Sequence, residues 1–202
     1  MRDEAVAENG EDGPIINIRG PRVGLGPLHE GLVPLVVRWE NDFGTVDLGG
    51  GIMQPRSRAA LAAEWEALIK GEREDWIGFA IYELATARLI GLANVRDYIN
   101  PRRTAEFGIT IGERELRGKG YGTEATVLLL DYAFTVLGVH NMWLDTPAYN
   151  AAALRAYTKA GFKEIGRRRE AHRLGDRVYD IVLMDCLATE FRNPYGRVVE
   201  LP

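Results

Sequence analysis

Ile109-Thr-Ile-Gly-Glu-Arg-Glu-Leu-Arg117-Gly118-Lys119-Gly120-Tyr121-Gly122-Thr123-Glu124-Ala125 reads as a strand, a glycine-rich turn and the start of a helix. Three glycines alternate with other residues just where the helix begins. Without side chains at 118, 120 and 122, backbone N–H groups can approach a ligand closely. A helix N-terminus adds roughly half a positive charge. Such a turn suits a phosphate, and it is equally at home as a purely structural turn. It is not a P-loop, because Gly120 follows Gly118-Lys119 where that motif needs Ser or Thr. It is a poor dinucleotide fingerprint, because Thr123 occupies the third glycine position and an antiparallel meander precedes it; Asp145 does lie near the end of the next strand, where that motif wants an acid, so the alternative is weakened rather than excluded.

Working outward, Trp76–Glu83, Arg88–Ile99 and Thr104–Ile111 are β-rich runs joined by short turns, and the third alternates Glu106, Gly108, Thr110 against Phe107, Ile109, Ile111. Downstream, the apolar period from Ala125 through Leu137 predicts a helix over 122–137, stopped by Gly138. A strand at Met142–Thr146, a helix from Asn150 to Ala160 and a terminal hairpin of Phe162–Arg173 with Arg177–Leu187 follow. Upstream, a short strand from Ile15 to Arg19 and an extended run at Val23–Pro27 lead to a first helix over 28–41, regular no earlier than Val33 because Pro34 is tolerated only in a first turn. Residues 42–56, with Gly44, Gly49, Gly50, Gly51 and Pro55, predict an irregular loop, either a binding loop or a surface insertion. Ser57 is the expected N-cap of a second helix running to Ile69. The order β-α-α-β-β-β-α-β-α-β-β mixes meanders with two crossovers and argues for an α+β domain over a doubly wound parallel sheet. The expected organisation is a disordered acidic tail at 1–13, one domain over 14–190 and a C-terminal tail at 191–202.

The chain has 202 residues, 46% of them apolar and 27% charged, which fits one ordinary globular core. The net charge of −4 is concentrated at the start, where Asp3, Glu4, Glu8, Glu11 and Asp12 face only Arg2. The remainder balances, so bulk charge calls for neither nucleic acid nor an anionic membrane. No apolar run approaches the roughly 18–20 residues of a membrane span, and the acidic start lacks the features of a signal peptide; the expected address is the cytoplasm. The single cysteine, Cys186, forms no internal disulfide, and its apolar strand makes it a core residue. His29, His140 and His172 are scattered without metal-ligand spacing, so no metal is expected. Arg167-Arg168-Arg169 alternates across a strand and reads as a solvated hairpin rather than one basic patch.

Arg117-x-x-Gly120-x-Gly122 between strand and helix resembles the acetyl-coenzyme A pyrophosphate motif of the GNAT superfamily of N-acetyltransferases. A second match lies about thirty residues on: Asn150-x-x-Ala153 leading to Tyr157-x-x-Ala160-Gly161-Phe162 is similar to that superfamily's next motif. Trp39-Glu-Asn-Asp42, Gly-Tyr-Gly-Thr-Glu-Ala at 120–125 and Tyr179-Asp180 resemble the branch of ribosomal-protein alanine N-acetyltransferases (RimJ/RimL-like), whose members also acetylate antibiotics and other small amines; Pro34 and Gly49-Gly50-Gly51 depart from its pattern. The likeness covers roughly residues 15–190. It implies a mostly antiparallel sheet splayed at the coenzyme site, with acetyl-coenzyme A as co-substrate. Backbone groups of Ile109 and Ile111 would bond the pantetheine. N–H groups from Arg117 through Gly118, Lys119, Gly120, Tyr121 and Gly122 to Thr123 would hold the pyrophosphate, with Asn150, Ala153 and Tyr157 flanking the pantetheine and thioester.

Direct transfer to an amine needs a neutral amine, a polarised carbonyl and a proton for the departing thiolate. Tyr157, about two helical turns after Asn150, is the candidate acid, or else packs on the pantetheine. Glu106, on the strand leading into the glycine loop and on the face opposite Phe107, is the candidate base, or else an ordinary strand carboxylate. Trp39, in the branch pattern, and Asp42 and Asp47, in the glycine-bearing loop, are candidates for binding the acceptor. Loop carboxylates suit a cation, while packing accounts equally for Trp39. The expected acceptor is a protein N-terminus or a small-molecule amine, with no nucleic-acid or membrane partner, and the chain is a possible homodimer. The contrasting reading is a coenzyme-binding sensor or partner-binding module without turnover.

Overall fold

The computed structural model describes residues 13–196, so the acidic tail expected over 1–13 lies almost wholly outside the described residues, as does the end of the C-terminal one. Eight strands form a single sheet: β1 (Ile18–Arg19), β2 (Val23–Gly26), β3 (Trp76–Glu83), β4 (Arg88–Arg96), β5 (Thr104–Ile111), β6 (Asn141–Pro147), β7 (Lys163–Leu174) and β8 (Arg177–Leu187). Their spatial order is β1-β2-β3-β4-β5-β6-β8-β7. Every pairing is antiparallel except β5 with β6. That parallel step requires a crossover, supplied by α4 (Tyr121–Thr135).

α4 packs on one sheet face. Its Ala125, Leu128, Leu129 and Ala133 are fully buried in a cluster with Ile81, Ile90, Val95 and Phe107 from the strands and Phe162 beyond them. On the other face, α1 (Val33–Glu40) and α3 (Arg58–Ile69) bury Val36, Trp39, Leu61 and Trp65 against Ala80, Tyr82 and Leu89. Each such aliphatic side chain contributes about 1.5–3 kcal/mol on leaving water. Pro34 sits in the first turn of α1, and Ser57 caps α3 by accepting from the N–H of Ala60 at 3.1 Å.

Three expectations are corrected. The first strand begins at Ile18 rather than Ile15 and turns through Gly20 into β2, which joins the sheet edge against β3. The second meander strand, expected to run to Ile99, stops at Arg96 because Asp97 takes a left-handed conformation with φ 53°. The loop expected over 42–56 contains a short helix, α2 (Phe43–Leu48). Asp42 starts it: its carbonyl accepts from Thr45 and Val46 N–H at 2.7 and 3.1 Å, and its carboxylate accepts from the Thr45 hydroxyl at 2.6 Å. Beyond the hairpin, Phe191 packs on Phe134, ring centroids 5.3 Å apart.

Candidate active site

β5 and β6 pair only over Thr104–Glu106 with Asn141–Trp143. Past that point β5 stays with β4 as far as Ile111, and β6 stays with β8 as far as Pro147. The two strands therefore diverge, and the β6-facing edge of β5 from Phe107 onward has no strand partner. A cavity of about 480 Å³ fills the wedge. Its walls are Phe107–Ile111 on one side, Leu144, Asp145 and Thr146 on the other, and the Asn150, Ala153 and Tyr157 face of α5 (Ala151–Ala160).

The glycine loop closes one end. Gly118 and Gly120 have φ of 73° and 90°, so both need glycine's backbone freedom. Gly122 has no such φ; a Cβ there would meet only Ile111, at 3.5 Å, and its value is the room it leaves. Gly120 precedes the first turn of α4, which has no side-chain cap. The first helical N–H groups have no intrahelical acceptor, and Gly120, Gly122 and Thr123 border the cavity. The flanking side chains turn elsewhere. Arg22 donates to the Lys119 carbonyl at 3.0 Å and stacks on the Tyr121 ring, whose hydroxyl donates to Glu83. Neither Lys119 nor Tyr121 lines the cavity, so any part they take is through backbone.

Arg117 does line it, with its guanidinium spent on protein groups: Nε donates to the Ile111 carbonyl at 2.8 Å, and Nη2 to the Thr45 hydroxyl at 2.7 Å and the Gly112 carbonyl at 3.2 Å. Asn150 is similarly committed. Its Oδ1 accepts from Ala153 N–H at 3.1 Å, capping α5, and its Nδ2 donates to the Leu48 carbonyl at 2.7 Å. Thr45, Leu48 and Gly49 thus roof the cavity.

Tyr157 lies between Phe107 and Phe162, edge-on to both rings at 5.9 and 6.0 Å, and reaches the cavity. Burial, helped by the charge of Asp145, pushes its hydroxyl up to about 12. Glu106 is half-buried where β5 and β6 part, and accepts from Arg96. Burial raises its carboxyl above the ordinary value; Arg96 opposes that, while Asp145 and Asp97 add to it.

The acceptor-binding candidates are placed differently from expectation. Trp39 is 4% exposed in the α1–α3 core, its Nε1 donating to Glu113 at 3.1 Å and its ring filling the space a Cβ on Gly112 would need. Asp42 is gripped by both arms of the Arg114 guanidinium and by Thr45, which hold its carboxyl well below the usual range. Asp47 accepts from the Tyr149 hydroxyl at 2.7 Å, with His172 Nε2 3.8 Å away. None of the three lines the cavity; the two carboxylates fasten α2.

Several lining residues were missed by sequence reading. Asn94 and Arg96 border the cavity, and their signal was the alternation Leu92-Ala93-Asn94-Val95-Arg96, which sets both on one strand face. Arg155 and Lys159 add positive charge along α5. Glu124, inside the glycine motif, is 1% exposed and accepts from the N–H groups of Arg22 and Val23 at 2.6 and 2.9 Å and from Arg22 Nε at 3.0 Å, tying the β1–β2 hairpin to α4. Cys186 is buried, its thiol pushed up to about 12 by burial. Among the described residues no group of three or more His, Cys, Asp or Glu side chains is arranged to hold a metal, and no helix is long and apolar enough to cross a membrane.

Comparison with known proteins gives four further findings. The profile of the acetyltransferase (GNAT) domain matches residues 22–163. Over 113 residues, 56% of the chain, the sequence is 33% identical to the spermidine N(1)-acetyltransferase of Vibrio cholerae serotype O1, and that stretch spans 65% of the relative's length, short of two thirds. In three dimensions the chain is similar to the Vibrio cholerae spermidine N-acetyltransferase solved in complex with CoA and spermine, with a TM-score of 0.76, 25% identity and coverage of 85% of this chain and 98% of the other. A dodecameric structure of that enzyme in an intermediate state matches with a TM-score of 0.70 and 26% identity over 84% of this chain and 96% of the other.

Proposed function

The chain belongs to the GNAT acetyltransferase family, and from that premise we propose that it moves an acetyl group from acetyl-coenzyme A to a primary amine of a small molecule, with a spermidine-type polyamine as the first acceptor. The observation that carries this reading is the parting of β5 from β6 beside the uncapped start of α4. An extended ligand with amide groups and a pyrophosphate fits there: the unpartnered β5 edge at Ile109 and Ile111 for the amides, the first N–H groups of α4 for the phosphates, and Arg155 and Lys159 for charge balance. The polyamine acceptor draws support from the Vibrio relatives and from two carboxylates, Glu106 and Asp145, on the cavity wall.

When bound, acetyl-coenzyme A supplies the thioester carbonyl. Glu106 takes a proton from the acceptor ammonium, which frees the nitrogen lone pair for attack. Burial raises its carboxyl above the ordinary value, which makes it a stronger base than a solvated carboxylate. Tyr157 stays protonated throughout the working range and donates a hydrogen bond to the departing sulfur. Full transfer from a hydroxyl near 12 to a thiolate of ordinary basicity, near ~8.5, is uphill, so its main contribution is that hydrogen bond. Holding both substrates in one wedge supplies much of the remaining acceleration.

The domain is assigned to residues 14–190, and the enzyme is taken to work in the cytoplasm as a homo-oligomer, which light scattering reads directly. A protein N-terminus is the acceptor class set against the polyamine in the test. Thiol release from acetyl-coenzyme A, measured with spermidine, spermine, aminoglycosides and N-terminal peptides, tests the reading, with Gly120→Glu as control. Release with polyamines that is lost in the control is expected. Release with peptides alone reassigns the acceptor, and tight coenzyme binding with no release from any of them withdraws the transferase activity.

A further inference from the structure

On the sheet face covered by α1 and α3, two side chains of β4 belong to neither apolar cluster. Asn94 and Arg96 stand opposite Gly108 and Glu106 of β5, and all four border the cavity. Arg96 donates through Nη2 to Glu106 Oε1. Arginine–carboxylate pairs frequently engage both carboxylate oxygens through the guanidinium fork. This one makes a single end-on contact: its Nε is buried without a partner, and Asn94 Oδ1, two residues away on the same face, is likewise unpaired. Glu106 Oε2 takes no hydrogen bond from any described residue. Beside it the Asn94 amide lies over Gly108, where a Cβ would come within 2.8 Å of Asn94 Oδ1. A charged group left partly unsatisfied at a cavity wall is a local rule broken where function is the usual reason.

We propose that Arg96 is a positioning residue for the acceptor: by holding Oε1 of Glu106 it presents Oε2 to the cavity, where that oxygen takes the proton of the incoming amine. In that step an N–H bond of the ammonium breaks, an O–H bond forms on Oε2, and no further reactant is needed. The inference rests on Glu106 being the base. Among the described residues, the charged groups that act most strongly on Glu106 are Arg96 and Asp97, from β4 and the turn after it, and Asp145 from β6. Arg96 is the only cation among them, so it alone opposes the burial and the two aspartates that favour the protonated acid.

The test is the pH dependence of kcat/KM for spermidine in the full chain, for the wild type and for Glu106→Gln, Arg96→Met and Arg96→Lys. With Arg96→Met the acid limb should move up by about one to two pH units, because losing the cation lets Glu106 protonate earlier as pH falls. Arg96→Lys should return it close to the wild-type position, and Glu106→Gln should abolish it. A limb that persists in Glu106→Gln defeats the base assignment. A limb lost in Glu106→Gln but unmoved in Arg96→Met overturns the role of Arg96 alone. If Arg96→Met does not fold, Arg96→Gln makes the same comparison with the length kept and the charge removed. Carbon-13 titration of the Glu106 carboxyl reads the same shift with no acceptor present, and an unchanged midpoint there overturns the proposal independently of turnover.

Discussion

Replacing Gly122 with alanine should separate the stability of the glycine loop from its capacity to hold a ligand. Gly118 and Gly120 sit at φ of 73° and 90°, where an L side chain costs about 1–2 kcal/mol. At Gly120 a Cβ would also come within 2.9 Å of Arg22 Nη2, while at Gly118 it would meet nothing. Gly122 is the second residue of α4, has no positive φ, and a Cβ there would make ordinary contact with Ile111 at 3.5 Å. Alanine in a helix is favoured over glycine by about 0.5–1 kcal/mol. Gly122→Ala should therefore be neutral or stabilising by about 0.5 kcal/mol in denaturant unfolding, whereas Gly120→Ala loses at least ~1 kcal/mol. The same methyl group is added at a residue that lines the cavity and should weaken acetyl-coenzyme A binding, measured by calorimetry, by about tenfold, equivalent to ~1.4 kcal/mol. Lys119→Ala, on a side chain outside the cavity, should leave that affinity within about twofold, equivalent to ~0.4 kcal/mol. Equal losses of stability in Gly120→Ala and Gly122→Ala would refute the assignment of two conformational glycines and one spatial one. Unchanged binding in Gly122→Ala would refute the cradle.

Tyr157→Phe keeps the ring contacts with Phe107 and Phe162 and removes only the hydroxyl, so kcat should fall roughly 10–100-fold with the acetyl-coenzyme A KM little changed; an unaltered kcat would remove the sulfur hydrogen bond from the mechanism. Asp42→Asn should loosen α2, seen as faster hydrogen exchange at Thr45 and Val46, and should lower the denaturation midpoint at pH 7. Because the folded carboxyl is held below its unfolded value near ~3.9, its stabilisation is present above that pH and is lost as pH falls below it; the difference between variant and wild type should shrink below about pH 4, and a constant difference would contradict the ion pair. Glu124→Ala strands the N–H groups of Arg22 and Val23, the second of them buried, and should cost about 1–3 kcal/mol per orphaned donor, read by denaturant unfolding; a neutral result would mean that the hairpin is held by its apolar contacts alone.

Local chemistry made most of the fold legible. The strands Trp76–Glu83 and Thr104–Ile111 and the helix Arg58–Ile69 lie where alternation and the Ser57 cap put them, because each is decided within its own residues. What escaped was decided at a distance. β2 is only four residues long and exists as a strand because β3 offers it a partner, Val23 opposite Glu83. α2 carries two glycines on its borders or inside and is started by Asp42, which needs Arg114, 72 residues away, to hold it. The wedge itself is a matter of register between β5 and β6, which no periodicity within either strand records; only the likeness of the glycine and asparagine motifs to a known family pointed to it. At the site, the glycine loop, Asn150 and Tyr157 could be found because their spacing is local. Arg96 was harder, since its meaning depends on Glu106 standing across from it.

The roof changes how the acidic residues of the loop should be read. An aspartate in a glycine-bearing loop beside a cleft suggests an ion-pair partner for a cationic acceptor, and two of them suggest it more strongly. Yet α2 touches both lips of the wedge: Arg114 and Arg117 reach Asp42 and Thr45 from the β5 side, while Tyr149 and Asn150 reach Asp47 and the Leu48 carbonyl from the β6 side. Each carboxylate already has a protein partner. An exposed ion pair contributes only about 0–1 kcal/mol, but these contacts are distributed so that the segment cannot leave one lip while remaining on the other without losing its own hydrogen bonds. Losing a carboxylate here would therefore weaken amine use by widening the wedge, whatever the charge of the amine. Neutral acceptors would suffer with cationic ones. Recognition of a cation is better sought on the floor, where Glu106 and Asp145 border the cavity and Arg96, on the neighbouring strand, pairs with Glu106.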